Sequence, residues 1–152
     1  MTAIRLEAEA ALERLDWIKQ LDKEIRHTLP PTGHQLMKIE GIGMIGAATI
    51  IAHSGNITRF PTEGHYARYT GTAPLDASSG RQQRHRLNRW GNRTLNKATH
   101  IAIITQLQRK GKAHHYIQRR ITEGKTKKEA IRAAKRHLTR HIYRTLKQHP
   151  LT

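Results

Sequence analysis

A chain of 152 residues with 28 Lys and Arg against 11 Asp and Glu, a formal net charge of +17 and no cysteine fits one domain with an ordinary core. Its excess charge favours polyanionic partners, nucleic acid first and an anionic membrane surface second. The composition excludes disulfides and thiolate metal sites, and the lack of any apolar run near 18 residues excludes a transmembrane helix; with no apolar signal-peptide core at the N-terminus, the expected location is the cytoplasm.

A hydrophobic fraction of 36% and an aromatic fraction of 5% are lean, which favours small aliphatic helical packing, hence an all-α fold, over a thick mixed core. The charge is uneven. Residues 1–27 hold six acids and five bases, and the remainder holds 23 bases and five acids. This asymmetry predicts two parts with different jobs, a helical arm over 1–29 and a basic domain over 30–152.

Residues 2–27 read as one long helix. Ile4, Ala8, Ala11, Leu15, Ile18 and Ile25 fall near a 3.5-residue repeat broken by Asp22, and Leu12, Trp17 and Leu21 widen the apolar face. Such a helix either packs on its own domain or pairs with a partner helix as a coiled-coil or dimerising arm. Leu29-Pro30-Pro31-Thr32-Gly33 ends it and forms a linker. A short helix is expected around Leu36, Met37 and Ile39, then a tight hairpin at Gly41-Ile42-Gly43, where glycine tolerates positive φ. Ala47, Ala48, Ile50 and Ile51 begin a second apolar helix, closed by Ser54-Gly55. This is a helix-hairpin-helix-like element. Gly41 and Gly43 would shape a turn whose backbone N–H groups, at the start of the second helix, face a DNA phosphate. The pattern also fits a glycine-rich turn with no DNA contact.

After a connector, Thr62 is expected to cap a short helix through Tyr69, with Tyr66 and Tyr69 on its surface. Gly71 to Arg81 reads as loop, and Arg86-Leu87-Asn88 as at most a short extended piece. A helix from Asn92 to about Arg109 turns Leu95, Ala98, Ala102, Ile103 and Leu107 inward. Gly111 ends it, and residues 112–123 form a basic helix around Tyr116, Ile117 and Ile121. Thr126-x-x-Glu129 is a capping box that opens a last helix with Ile131, Ala134, Leu138, Ile142 and Leu146 inward.

The chemistry concentrates between Gly71 and Arg93. Ser78 and Ser79 follow Pro74 in a turn-like segment, and Arg81, Arg84, Arg86, Arg89 and Arg93 come next with no acid among them. A serine nucleophile needs a base or stabilisation of the charge that develops. On a phosphodiester, arginines supply the second by gripping the non-bridging oxygens in a planar fork. The pattern fits Ser79 as nucleophile, with Arg81, Arg84 and Arg86 neutralising phosphate. It also fits a turn that only binds phosphate.

His137 and His141 lie one helical turn apart, a spacing that can hold zinc, but no carboxylate accompanies them and HExxH is absent. They read as solvated positions on a basic face. Outside the first helix the acids are Glu40, Glu63, Asp76, Glu123 and Glu129, too scattered for a two-metal site, so no metal is assigned to this chain.

One set of landmarks joins these pieces. Ile39-Glu40-Gly41-Ile42-Gly43, Ala47-Ala48, Gly55-Asn56-Ile57-x-x-Phe60, Tyr69-Thr70-Gly71-Thr72-Ala73-Pro74, Ser79-Gly80, Gly91-Asn92-Arg93-x-Leu95, Tyr116, Gly124-Lys125 and Lys128-x-Ala130 follow one another between Leu36 and Leu146. In that order the segment resembles the C-terminal domain of the insertion-sequence transposases of the IS110/IS116 family. The resemblance implies a DNA recombinase in which an N-terminal, nuclease-like acidic domain holds Mg and a coiled coil joins it to the helical domain. A serine in the Ser-Gly motif of the helical domain attacks DNA, and a structured guide RNA encoded by the element directs target choice. Carried over by position, that serine is Ser79, with Ser78 the alternative.

The resemblance also implies that residues 1–27 are the end of the coiled-coil segment and that the acidic domain is absent from this chain. The chain would then be inactive alone, with no cofactor of its own. Two functions stand on this reading. One is a serine-bearing, DNA-binding transposase domain that works with an acidic metal-binding domain. The other is a non-catalytic nucleic-acid-binding or regulatory module from a truncated transposase. In either case residues 2–27 are available for a homodimer or for pairing with full-length transposase.

Overall fold

The computed structural model describes residues 2–76, 85, 86, 88 and 90–151, with backbone alone at 76, 85 and 86. The helices are α1 (Ala3–Thr28), α2 (Pro31–Met37), α3 (Met44–Ser54), α4 (Glu63–Tyr69), α5 (Arg93–Gln108), α6 (Lys112–Thr122) and α7 (Lys127–Gln148). A 3-10 turn at Ile57–Arg59 links α3 to α4. Two short strands, β1 (Leu75–Asp76) and β2 (His85–Arg86), pair antiparallel with Leu75 opposite Arg86 and Asp76 opposite His85. The fold is all-helical, as composition suggests, and the ladder falls on one of the residues expected to be extended.

Helix α7 is the spine, packed against α2, α4, α5 and α6. Its 3.6-residue period sets Ala134, Leu138, Ile142 and Leu146 on one buried stripe. They share one core with Leu36, Ile50, Tyr66, Leu95, Ile103 and Ile117. The predicted capping box starts α7: the Thr126 N–H donates to Glu129 Oε2 at 2.9 Å, and the Glu129 N–H donates to Thr126 Oγ1 at 3.3 Å. Two of the four orphan N–H groups at this end are thereby satisfied.

Two local expectations are corrected. The linker is only Leu29-Pro30, because α2 begins at Pro31, whose fixed φ and missing N–H suit the first helical position. Thr32 and Gly33 are buried, and Thr32 Oγ1 donates to the His149 carbonyl at 2.8 Å, tying α2 to the end of α7. Tyr66 is core, not surface. Its ring packs edge-on against Phe60 at 5.2 Å and its hydroxyl shares a 2.8 Å hydrogen bond with Ser54. Burial pushes this phenol up to about 12.

Helix α1 behaves differently. None of its described residues is buried, and it meets the body against α3. Ile4, Leu12, Leu15, Ile18 and Leu21 are exposed, and Trp17 keeps 71% of its surface open. With 26 residues at about 1.5 Å per residue, the arm is about 39 Å long.

Candidate nucleic-acid interface

Two glycines meet at the described ends of the chain that flank the serine pair. Helix α4 ends at Tyr69, and Gly71 turns the chain with φ +70°. Gly91 sits against it so closely that a Cβ there would lie 2.2 Å from Gly71 N. Side-chain amides lock the junction. Asn96 Nδ2 donates to the carbonyls of Thr70 at 3.1 Å and Gly71 at 3.0 Å. Asn88 Nδ2 donates to the Arg68 carbonyl at 3.1 Å. Asn92 caps α5 by accepting from the Leu95 N–H at 3.0 Å, and its own N–H donates to the Tyr69 carbonyl at 2.6 Å.

Just beyond this root, β1 and β2 hold the chain before and after the serines side by side. Ser78, Ser79, Arg81, Arg84 and Arg89 lie outside the described residues, and Arg86 is described by its strand backbone alone. Arg93 opens α5 on the exposed surface. Trp90, whose N–H donates to Asn88 Oδ1 at 3.0 Å, is 95% exposed.

A cleft of about 660 Å³ opens beside the root. Thr72, Ala73, Pro74 and Asn88 form one side of it. The other side carries Arg120, Lys125, Arg132, Lys135, Arg136 and Arg140. Among the described residues the nearby carboxylates are engaged. Glu63 receives Arg136 at 3.0 Å and Arg140 at 2.7 Å, Glu123 receives Arg119 and Arg120, and Glu129 caps α7. Desolvation raises the Glu63 carboxyl, but the hydrogen bond and charge of Arg140 and those of Arg136 outweigh it and hold the group below its ordinary value. His137 also lines the cleft. Desolvation, then the charges of Arg140, Arg136, Arg120 and Arg119, hold its imidazole below its ordinary value, so near neutrality it leaves the proton off.

Lys135 occupies the floor, 7% exposed. Its ammonium donates to Asn96 Oδ1, and burial lowers it to about 8. Asn96 thus joins this cation to the Gly71 turn. Sequence reading missed both residues. A signal for Lys135 existed: it lies four residues after Ile131 and three before Leu138, on the inward stripe, where a lysine is out of place.

The Gly41–Gly43 turn does not line the cleft. Gly41 has φ +83°, and a Cβ there would meet the Ala102 carbonyl oxygen of α5 at 2.4 Å. Gly43 is extended, with φ −89° and ψ −178°, and caps α3 without any side-chain hydrogen bond. A Cβ on Gly43 would meet nothing within 4 Å. No side chain caps the first amides of α3. The neighbouring Glu40 is a helix cap. Its carboxylate accepts the Lys112 N–H at 3.1 Å at the start of α6, whose N-cap Gly111 offers no side chain.

Among the described residues no three His, Asp or Glu side chains come together as a ligand set. Glu40, Glu63, Glu123 and Glu129 are each bound to a cap or an arginine, a donor set unsuited to a two-metal centre. His137 instead meets the Tyr116 ring edge-on at 5.0 Å. No described helix is long and apolar enough to cross a membrane.

Residues 33–118 match the Transposase IS116/IS110/IS902 family, and the chain belongs to that family. It is similar to the insertion element IS110 uncharacterized 43.6 kDa protein of Streptomyces coelicolor, 32% identical over 106 residues. The match covers 69% of this chain and 25% of that relative, so the chain spans about a quarter of its length.

Proposed function

We propose that this chain is the serine-bearing, nucleic-acid-binding part of a transposase, and that Ser79 is its nucleophile, with Ser78 as the alternative. The transposase family match supports a DNA partner. The observation that carries the reading further is the cationic cleft beside the root of the serine segment. In the proposed step the serine Oγ bonds to the phosphorus of a DNA phosphodiester. The hydroxyl proton passes to a base, one P–O ester bond breaks, and the leaving strand end takes up a proton. Arg81, Arg84 and Arg86 neutralise the non-bridging oxygens, while Arg89 and Arg93 extend the contact along the backbone. The α3 N-terminus, shaped by Gly41 and Gly43, holds a neighbouring duplex phosphate through its open amides.

In this reading the base and any Mg belong to an acidic domain supplied by another polypeptide or segment, a structured RNA guides the target, and the assembly works in the cytoplasm. The exposed apolar stripe of α1 favours pairing through residues 2–27, either with a second copy or with a transposase partner. That stripe also favours the second reading, a regulatory module that binds nucleic acid and a transposase without catalysis.

A covalent test separates the two readings. The chain is mixed with labelled target DNA, with and without a family acidic domain and guide RNA, and run under denaturing conditions. A denaturation-resistant adduct lost in Ser79→Ala supports the nucleophile. An adduct that survives Ser79→Ala and disappears in Ser78→Ala moves the role to Ser78. Tight binding with no adduct in any mixture favours the regulatory module.

A further inference from the structure

We infer that the cleft beside the Gly71–Gly91 root takes one nucleic-acid strand rather than a duplex, and that the Lys135 ammonium bonds a non-bridging oxygen of one phosphate in that strand. The inference rests on the nucleic-acid reading above and narrows it to a strand class and a residue.

Size decides the strand class. About 660 Å³ is the scale of a pocket for a small organic ligand. A duplex, whose major groove alone is about 12 Å wide, can lie across the mouth but cannot enter. A single strand can thread in.

Charge decides the ligand class. Lys135 is 7% exposed and forms no carboxylate pair among the described residues, its acceptor being the neutral Asn96 amide oxygen. An ammonium has three donors and no acceptor, so two remain for a ligand. A buried cation without a counter-charge is costly, and buried charges are ordinarily paired; a phosphate oxygen supplies the missing partner. Burial that lowers this lysine to about 8 agrees with an unpaired site. Arg120 Nε and Arg136 Nη1, on the same wall, are buried with no acceptor among the described residues.

Geometry makes the site specific. Asn96 spends both amide hydrogens on the Thr70 and Gly71 carbonyls, which aims its oxygen at Lys135. The ammonium is thereby held at a fixed place below the root instead of sweeping through solvent as a surface lysine does.

The test uses the full chain and two labelled probes, a single-stranded oligonucleotide and the duplex of the same sequence, titrated by anisotropy at several salt concentrations. Lys135→Met should weaken single-strand binding about tenfold or more, the loss expected for a charge-assisted hydrogen bond. It should reduce the single-strand salt slope by about 0.7, the value for one phosphate, and leave duplex binding unchanged. Lys125→Met, at an exposed position on the same wall, should weaken the single strand selectively and decides the matter if the Lys135 variant does not fold. Equal losses for both probes, or no loss for either, would overturn the inference while leaving nucleic-acid binding in place. A wild-type chain that binds neither probe would overturn the nucleic-acid reading itself, and the inference with it.

Discussion

Gly91 and Gly43 look alike in the sequence, each lying just before a long helix, yet their surroundings are opposite. A side chain at Gly91 would strike the backbone of Gly71 at 2.2 Å. A side chain at Gly43 would meet nothing within 4 Å, at a backbone angle open to any residue. The first glycine is required by the chain's own packing. The second is not, so the space it leaves is free for a group from outside. The same glycine-before-helix pattern therefore marks a structural joint in one place and a candidate contact in the other.

The largest effect that would sharpen the contrast is expected at the joint. Gly91→Ala places a Cβ against backbone that cannot rotate away, and should destabilise the chain by about 3 kcal/mol or more. Gly41→Ala comes next, at about 2–3 kcal/mol, because it combines a left-handed φ with a clash against the Ala102 carbonyl. Urea denaturation of both variants reads these losses. If Gly91→Ala melts with the wild-type midpoint, the root of the serine segment is not built on that contact.

A smaller effect comes from the pair of arginines that anchors α4, and with it the Gly71 turn, to α7. Glu63 receives Arg136 and Arg140 with side chains 20–38% exposed, between the exposed and buried limits. Glu63→Gln should cost about 1–2 kcal/mol. The sign of its pH dependence follows from the lowered carboxyl. The contribution is present above the ordinary carboxylate pKa and disappears as pH falls through the lowered folded-state value. Wild type should therefore lose its advantage over Glu63→Gln only on acidification, and a gap that widens as the pH falls would contradict the assignment.

Much of this architecture could be read from periodicity. The inward stripe of α7, the Thr126–Glu129 capping box and the start of α5 at Asn92 all follow from local spacing, because each is decided within a few residues of chain. The misses are long-range. Tyr66 reads as a surface aromatic until Ser54 and Tyr143 close around it. Glu40 reads as a stray acid, although it caps a helix 72 residues away. Lys135 sits on the inward stripe, but its acceptor Asn96 belongs to another helix. Ser79 and its arginines are read from residue type and family landmarks alone, and Ser78, Ser79, Arg81, Arg84 and Arg89 lie outside the described residues.

The smallest expected change in stability is at the open glycine, and there the informative readout is binding. Gly43→Ala should alter stability by less than about 1 kcal/mol, since the position caps α3 with no side-chain bond to lose. A methyl group at the N-cap of α3 should nevertheless crowd a phosphate drawn to the positive end of that helix. Duplex affinity should fall several-fold, while single-strand affinity, which depends on the cleft, should hold. A variant that folds normally and binds duplex like wild type would show that the vacancy at Gly43 serves no ligand. The contrast with Gly91 would then reduce to a difference in packing, and the basic surface around the cleft would have to account for duplex binding without the α3 amides.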